Sequence, residues 1–288
     1  GFQIHIRQSE GVTLSAGQQA AVSSAVTKLQ AAITGDLGDI GSLTRAAGTC
    51  AGATTPALDE SLDDVIIYLE FVPIDGPGGT VGSAGPCLVR TGTALSALGG
   101  MRFDTDDLAA IEALGLLPDI IVHEMMHVLG FGTFWESPIA YLVEPSDPAN
   151  PEWVSGMTDT HFTGPAALAE FAAIGGGSYT GGNIVPVEND TGTFGPGSLD
   201  GHWRESVFGE ELMTPAANLP SNPMSTLTIA SFSDLGYTVS LAAADPYSKV
   251  FSIVLGPAAP RVTVDLSGDV WRGRIDAIDP DGTIRRVR

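Results

Sequence analysis

The sequence predicts an α+β protein: an N-terminal lobe of mixed β-sheet and helix, a buried helix that closes it, and an irregular C-terminal lobe. Three observations carry this. Val65 to Val72 is an almost uninterrupted run of β-branched, aromatic and aliphatic residues, the pattern of a buried strand. Ala20, Val22, Ala25, Val26, Leu29 and Ile33 recur at helical spacing behind Ser15, a residue suited to an N-cap. The chain also holds 36 glycines and 19 prolines among 288 residues, which favours a loop-rich protein over a helical bundle.

Taken in order, Phe2 to Arg7 alternates apolar and polar residues as a half-buried strand does, and the Ser15 helix is expected to end at Gly35. Val65 to Val72 follows, then strands over Cys87 to Arg90 and Met101 to Phe103, and a small helix opened by Asp104 and Asp106. The helix containing His123 completes a lobe spanning 1–130. Residues 131–247 form a second lobe. Up to about residue 200 it is irregular, as in Pro145-Ser146-Asp147-Pro148 and Gly175-Gly176-Gly177, and only Pro165 to Ala173 there reads as helix. So long an irregular stretch is usually functional or an insertion. A helix over Leu227 to Leu235 stops at Gly236. Residues 248–288 read as a β-rich appendage, or the start of a further domain. Its strands are expected over Val262 to Leu266, Trp271 to Ile275 and Thr283 to Val287, with a turn at Asp279-Pro280-Asp281-Gly282. Six of the 13 basic residues fall there (Arg261, Arg272, Arg274, Arg285, Arg286 and Arg288), but acidic residues interleave them.

The most informative stretch is His123-Glu124-Met125-Met126-His127. Residues i and i+4 share a helix face, so both imidazoles can reach one metal ion. Glu124 can then reach a metal-bound water as a general base, which is the arrangement of a zinc peptidase. Ile120, Ile121, Val122, Met125, Met126, Val128 and Leu129 make the segment apolar nearly all round. Three polar side chains in such a helix cost several kcal/mol unless partnered, and a metal with its water would partner them all. Pro118 and Asp119 suit the helix start and Gly130 its end, with Gly132 keeping the backbone permissive beyond.

Composition narrows the partners. The 34 acidic residues against 13 basic ones give a net charge of −21, which repels nucleic acid and anionic membranes. There is no run of 18 apolar residues to span a bilayer, and the chain opens at Gly1 as a processed or trimmed protein does. Calcium could bind some of the carboxylates, but no complete calcium-loop pattern is present. The only cysteines, Cys50 and Cys87, lack the spacing of a cysteine zinc site. They form either one disulfide, which suits an exported enzyme, or two buried thiols.

A catalytic zinc takes three protein ligands and leaves a position for water. In many such peptidases a third histidine follows six residues after the second, behind a glycine. Here Gly130 holds the glycine position, but Thr133 stands where the histidine would be. The remaining histidines are His5, His161 and His202; Glu136, Glu144 and Glu170 are carboxylate alternatives. His202 suits the role best, within Leu199-Asp200-Gly201-His202-Trp203. Close behind lies Glu211-Leu212-Met213-Thr214-Pro215, where Met213 could lay a polarizable thioether beneath the metal or simply fill the core.

His123 to Gly130, a long insertion, Gly201-His202-Trp203-Arg204-Glu205 and Glu211-Leu212-Met213-Thr214 together resemble the leishmanolysin family of metzincin zinc peptidases. Phe162-Thr163-Gly164-Pro165 and Ser233-Asp234-Leu235-Gly236-Tyr237 are similar to segments of that family as well. The likeness runs from about residue 118 to 240; the first 100 residues share only a general pattern and the tail shares nothing. It implies a metzincin-like fold, zinc held by His123, His127 and His202, Glu124 as general base, and Met213 in the Met-turn. With two cysteines the chain looks like the shorter bacterial members rather than the disulfide-rich protozoan ones. Pro215 occupies the position where some metzincins carry an assisting tyrosine, and no cysteine-bearing propeptide lies in these residues.

The expected function is therefore zinc-dependent endopeptidase activity on protein or peptide substrates, by a secreted or cell-surface monomer. An extended substrate would pair with an edge strand near Met101 to Phe103. Two alternatives stand beside it: a catalytically silent binding or adhesion protein on a peptidase fold, and a thermolysin-type peptidase with a carboxylate third ligand.

Overall fold

The structure is a computed structural model. It describes residues 1–136, 141–143, 160–180, 184–190, 192–249, 251 and 263–287. Glu144, Pro145 to Pro148, Arg261, Val262 and Arg288, singled out above, lie outside the described residues.

The first lobe runs β1 (Ile4–Gln8), α1 (Ala16–Ala32), β2 (Ile40–Arg45), β3 (Leu58–Leu62), β4 (Val65–Val72), β5 (Gly82–Arg90), β6 (Ser96–Asp104), α2 (Leu108–Leu114) and α3 (Leu117–Leu129). The second contains β7 (Leu142–Val143), β8 (His161–Phe162), α4 (Pro165–Ala173), β9 (Val185–Pro186), β10 (Ala216–Ala217) and α5 (Thr226–Leu235). The tail adds β11 (Val264–Asp265), β12 (Asp276–Ile278) and β13 (Ile284–Arg286).

One six-stranded sheet, ordered β1-β4-β6-β5-β12-β13, organises the molecule. β4 lies inside it, parallel to both β1 and β6. Side chains alternate across a strand. Val65, Ile67, Leu69 and Phe71 therefore join the main core on one face, while Ile66 and Tyr68 enter a second cluster on the other. Burial on both faces is why β4 reads as a continuous apolar run. The second face is closed by the β2–β3 hairpin, through Ile40, Leu43, Leu58 and Leu62, and by the Cys50–Cys87 disulfide. The sequence reading missed this hairpin, whose apolar residues are sparse among polar ones.

α1 and α3 cover the first face. Ser15 caps α1, accepting from the Gln18 amide at 3.1 Å while the Gln18 side chain accepts from the Ser15 amide at 3.0 Å, a capping box. The helix ends at Ala32 rather than Gly35, because Ile33 leaves it to bridge Val239. α3 sits unusually close to the sheet. A Cβ on Gly99 of β6 would lie 2.5 Å from Val128 Cγ1, so only glycine admits the helix at this depth. That contact sets the height of the His-Glu motif above the sheet.

Two expectations are corrected. Met101 to Phe103 belongs to β6, which is interior, between β4 and β5; the outer position of the first lobe falls to β5, antiparallel to β6. The tail is not a separate appendage. β12 pairs parallel with β5 and β13 antiparallel with β12, so the tail continues the main sheet. The strand expected at Trp271 to Ile275 falls directly after that stretch, at Asp276–Ile278.

In the second lobe, α4 packs on α5, and an aromatic cluster of Phe131, Trp135, Phe162 and Trp203 ties the lobe to the end of α3. The Trp135 and Trp203 rings stack at 4.8 Å. All four are buried in the same core as α3 and the sheet.

Candidate metal centre

α3 begins with Pro118 and Asp119 in its first turn and ends at Gly130, whose left-handed backbone (φ 116°) returns its amide to the His127 and Met126 carbonyls. Thr133, at the position where many such peptidases carry a histidine, donates its hydroxyl to the His127 carbonyl at 3.1 Å and so completes the helix end. The chain comes back at His202, whose carbonyl accepts from the Glu188 amide at 2.9 Å. Its neighbour Trp203 donates Nε1–H to Thr228 Oγ1 at 2.9 Å.

His123, His127 and His202 meet at one point. Their Nε2 atoms lie 3.1, 3.2 and 3.3 Å apart, and all three residues are buried. Each Nδ1 faces a backbone carbonyl: Leu212 for His123 at 2.8 Å, Phe131 for His127 at 2.9 Å and Ser198 for His202 at 3.0 Å. Carbonyls only accept, so each Nδ1 carries a proton and each ring turns its Nε2 inward. Burial lowers the pKa of His202, but the Asp269 charge and hydrogen bond outweigh it and leave that ring raised. Burial pushes His127 down to about 4, which keeps it neutral.

A fourth group joins them, one the sequence reading did not anticipate. Asp269 Oδ2 lies 2.8 Å from His123 Nε2, 3.2 Å from His202 Nε2 and 3.6 Å from His127 Nε2. Three imidazole lone pairs and a carboxylate oxygen converge, all of them acceptors. Tetrahedral zinc with bonds of about 2.0–2.1 Å spaces its ligands about 3.3 Å apart, and the donors found here match that spacing. A bound cation satisfies such a set, and nitrogen-rich donors suit zinc.

Glu124 stands beside this cluster with neither carboxylate oxygen hydrogen-bonded, although both are buried. Gly82 of β5 lies against it; a Cβ there would be 3.0 Å from Glu124 Oε1. Burial and the nearby Asp269 charge raise its carboxyl well above the ordinary range. A buried orphan carboxylate is uncommon outside functional sites.

Met213 is fully buried in the turn after His202. Its amide donates to Glu211 Oε2 at 2.6 Å and its carbonyl accepts from Trp203 at 3.0 Å. Glu211 Oε1 takes the Ser225 hydroxyl at 2.7 Å, so a buried carboxylate that sequence reading left without a role fastens this turn to the start of α5. The preceding Leu212 carbonyl is the one that orients His123.

The rival ligands stay away. His161 pairs within the β7-β8-β9 sheet, Glu136 is exposed, Glu170 lies on α4, and His5 on β1; none belongs to the cluster. Cys50 and Cys87 are bonded to each other, which resolves the two readings of the cysteines. A cleft of about 940 Å³ is lined by Lys28, Asp119, Glu205 and Lys249, and the histidines are not among its lining residues.

The sequence model of the leishmanolysin peptidases matches residues 47–248. The chain belongs to the leishmanolysin family. As a member of that family it is a zinc metallopeptidase, a hydrolase acting on protein or peptide substrates. The match begins well before α3 and therefore takes in β3 to β6, where the sequence alone showed only a general pattern. It stops before Asp269. No curated protein matches the chain. Among the described residues, no helix of this leishmanolysin-family chain is long and apolar enough to cross a membrane.

Proposed function

We propose that His123, His127 and His202 hold the zinc of an endopeptidase and that Glu124 is its general base, with the lobes 1–130 and 131–247 on either side of the site. The convergence of three inward Nε2 lone pairs, each fixed by a carbonyl behind it, supports this ligand set best. Zinc bound there supplies a Lewis acid that acidifies water and polarises the scissile carbonyl. Glu124, one residue past the first ligand and free of competing hydrogen bonds, takes the proton of the attacking water and returns it to the leaving nitrogen. Met213, closed in beside the site by Glu211, is the Met-turn methionine and forms an apolar floor.

The reading extends to an exported monomer. The disulfide suits an oxidising compartment, and the net charge of −21 disfavours self-association. Glu124→Gln in the zinc-loaded chain tests the mechanism. Chelator-sensitive casein hydrolysis should fall roughly 10²–10⁴-fold, the usual worth of a positioned base, while zinc stays at one per chain. Undiminished hydrolysis would remove Glu124 from the role.

A further inference from the structure

The tail that carries Asp269 crosses the metal centre and is held on both sides of it. On the β5 side, the Ala84 amide donates to the Asp269 carbonyl at 2.7 Å and the Trp271 amide to the Ala84 carbonyl at 2.7 Å. A Cβ on Gly85 would lie 2.5 Å from the Trp271 carbonyl oxygen. On the His202 side, Gly268 presses on Gly197, Val270 on Gly201, and Arg272 donates to the Leu199 carbonyl at 2.8 Å. Before the crossing, β11 pairs with β10, just past the Met213 turn; after it, β12 pairs with β5. Residues 264–278 are thus a strap anchored at both ends, and Asp269 at its centre is fully buried.

Two consequences follow. β5 is the outer strand of the first lobe, the one beside Glu124, and its free edge is where an extended peptide would add by backbone pairing. The strap already occupies that edge. Asp269 Oδ2 stands 2.8–3.6 Å from all three Nε2 atoms, the fourth vertex of a tetrahedron where catalysis needs water. A carboxylate buried without a compensating positive charge would cost several kcal/mol; against a zinc ion it is a ligand.

We infer that residues 264–278 are a built-in autoinhibitory strap in which Asp269 closes the zinc site as a fourth protein ligand. The inference rests on the His123, His127 and His202 ligand set proposed above. Tethering gives the carboxylate a high effective concentration, so a ligand that would bind weakly in solution holds the site here. Activation is a ligand exchange: water enters, the Asp269 carboxylate leaves with its charge, and no covalent bond breaks. A chain with the strap seated keeps only the activity of the fraction in which water has replaced Asp269, and release of the strap frees the metal position and the β5 edge together.

The test uses the full chain loaded with Co²⁺ in place of zinc, read by visible absorption, with acetohydroxamate as a small metal-binding probe. In the wild type, the spectrum should not respond to acetohydroxamate or to pH between about 6 and 9, because no exchangeable water is bound. Asp269→Ala should show both responses and hydrolyse a quenched fluorescent peptide at least about tenfold faster, and adding Glu124→Gln should abolish that gain. Asp269→Asn keeps the shape of the strap and should give the same spectral change if the alanine variant folds poorly. Gly85→Ala retains Asp269 but pushes the Trp271 carbonyl off β5, and should move the spectrum the same way. A wild-type spectrum that already answers acetohydroxamate, or one identical to that of Asp269→Asn, overturns the inference. Failure of the ligand reading looks different: the double variant His202→Ala/Asp269→Ala would then keep its full complement of Co²⁺.

Discussion

Gly132 and Gly201 touch backbone to backbone: a Cβ on Gly132 would stand 2.4 Å from the Gly201 carbonyl oxygen and 2.6 Å from its Cα. This contact brings the chain leaving α3 against the residue before His202. Gly132 also has φ +71°, which strains any side chain. Gly132→Ala should therefore suffer twice. The left-handed backbone costs roughly 1–2 kcal/mol and the overlap roughly 1–3 more. Zinc affinity should fall roughly 10–100-fold, as when a group orienting a ligand is lost. Gly115→Ala is the control: φ is +74° there but nothing lies within 4 Å, so only the backbone penalty applies and zinc binding is unchanged. Urea denaturation and chelator competition measure the two quantities. Equal effects at both positions would deny the contact any part in placing His202.

The choice of third ligand has a direct test. His202→Ala removes an Nε2 that lies 3.2–3.3 Å from its two companions. It should lower zinc affinity by more than the roughly 10–100-fold that losing a mere orienting group costs, and abolish stoichiometric binding once Asp269→Ala is added. His161→Ala, on β8, should leave zinc content and the melting temperature of the holoprotein close to wild type. Elemental analysis after dialysis against low zinc separates the two variants; zinc retained by the first and lost by the second would exchange their roles.

What the sequence revealed and what it hid divide along physical lines. α3 was legible because a local rule, the i, i+4 spacing between Pro118 and Gly130, brings His123 and His127, the proposed ligands, together beside Glu124, the proposed base, without reference to the rest of the chain. β4 was legible for the same reason, and so was α4, which spans Pro165–Ala173 as expected. Contacts between distant segments were not. Phe162 to Pro165 and Ser233 to Tyr237 stood out separately, yet only the fold shows Asp234 accepting from Ala166 and Ala167 at the start of α4, and Tyr237 donating to the Leu129 carbonyl. Asp269 is the extreme case. It lies 67 residues beyond His202, in no motif, and nothing but the pairing of the tail with β5 brings it to the histidines.

The disulfide makes a separate prediction. Cys50 and Cys87 close a loop with a sequence separation of 37 residues and tie the turn before β3 to β5, inside the second apolar cluster. Chain-entropy reasoning assigns such a loop about 4 kcal/mol. The double variant Cys50→Ala/Cys87→Ala should lose roughly that much stability by denaturant titration. Its zinc stoichiometry should hold, because the histidines sit on the other side of the sheet with α3. A loss below about 1 kcal/mol would mean that the hairpin closes that face unaided.

Glu205 couples stability to pH. It follows His202 by three residues, its amide donates to Glu188 Oε2 at 2.8 Å, and its own Oε2 is buried without a partner. Burial pushes its carboxyl from 4.5 up to about 7. The Glu188 charge adds to this, against the opposing hydrogen bonds of Thr214 and Asn218 and the charge of Lys249. The sign follows from which state ionises first. Above pH 4.5 the unfolded chain releases this proton, while the folded chain holds it until about pH 7, so folding stability falls across that window and levels off above it. Glu205→Gln cannot ionise and escapes the loss. Its stability relative to wild type should therefore rise between pH 5 and pH 7 and stay constant from 7 to 8, with a total change of at most about 3 kcal/mol. Urea titrations of both proteins at pH 5, 6, 7 and 8, in the same excess of zinc, provide the comparison. A difference that does not vary with pH would place the Glu205 carboxyl back in the ordinary range.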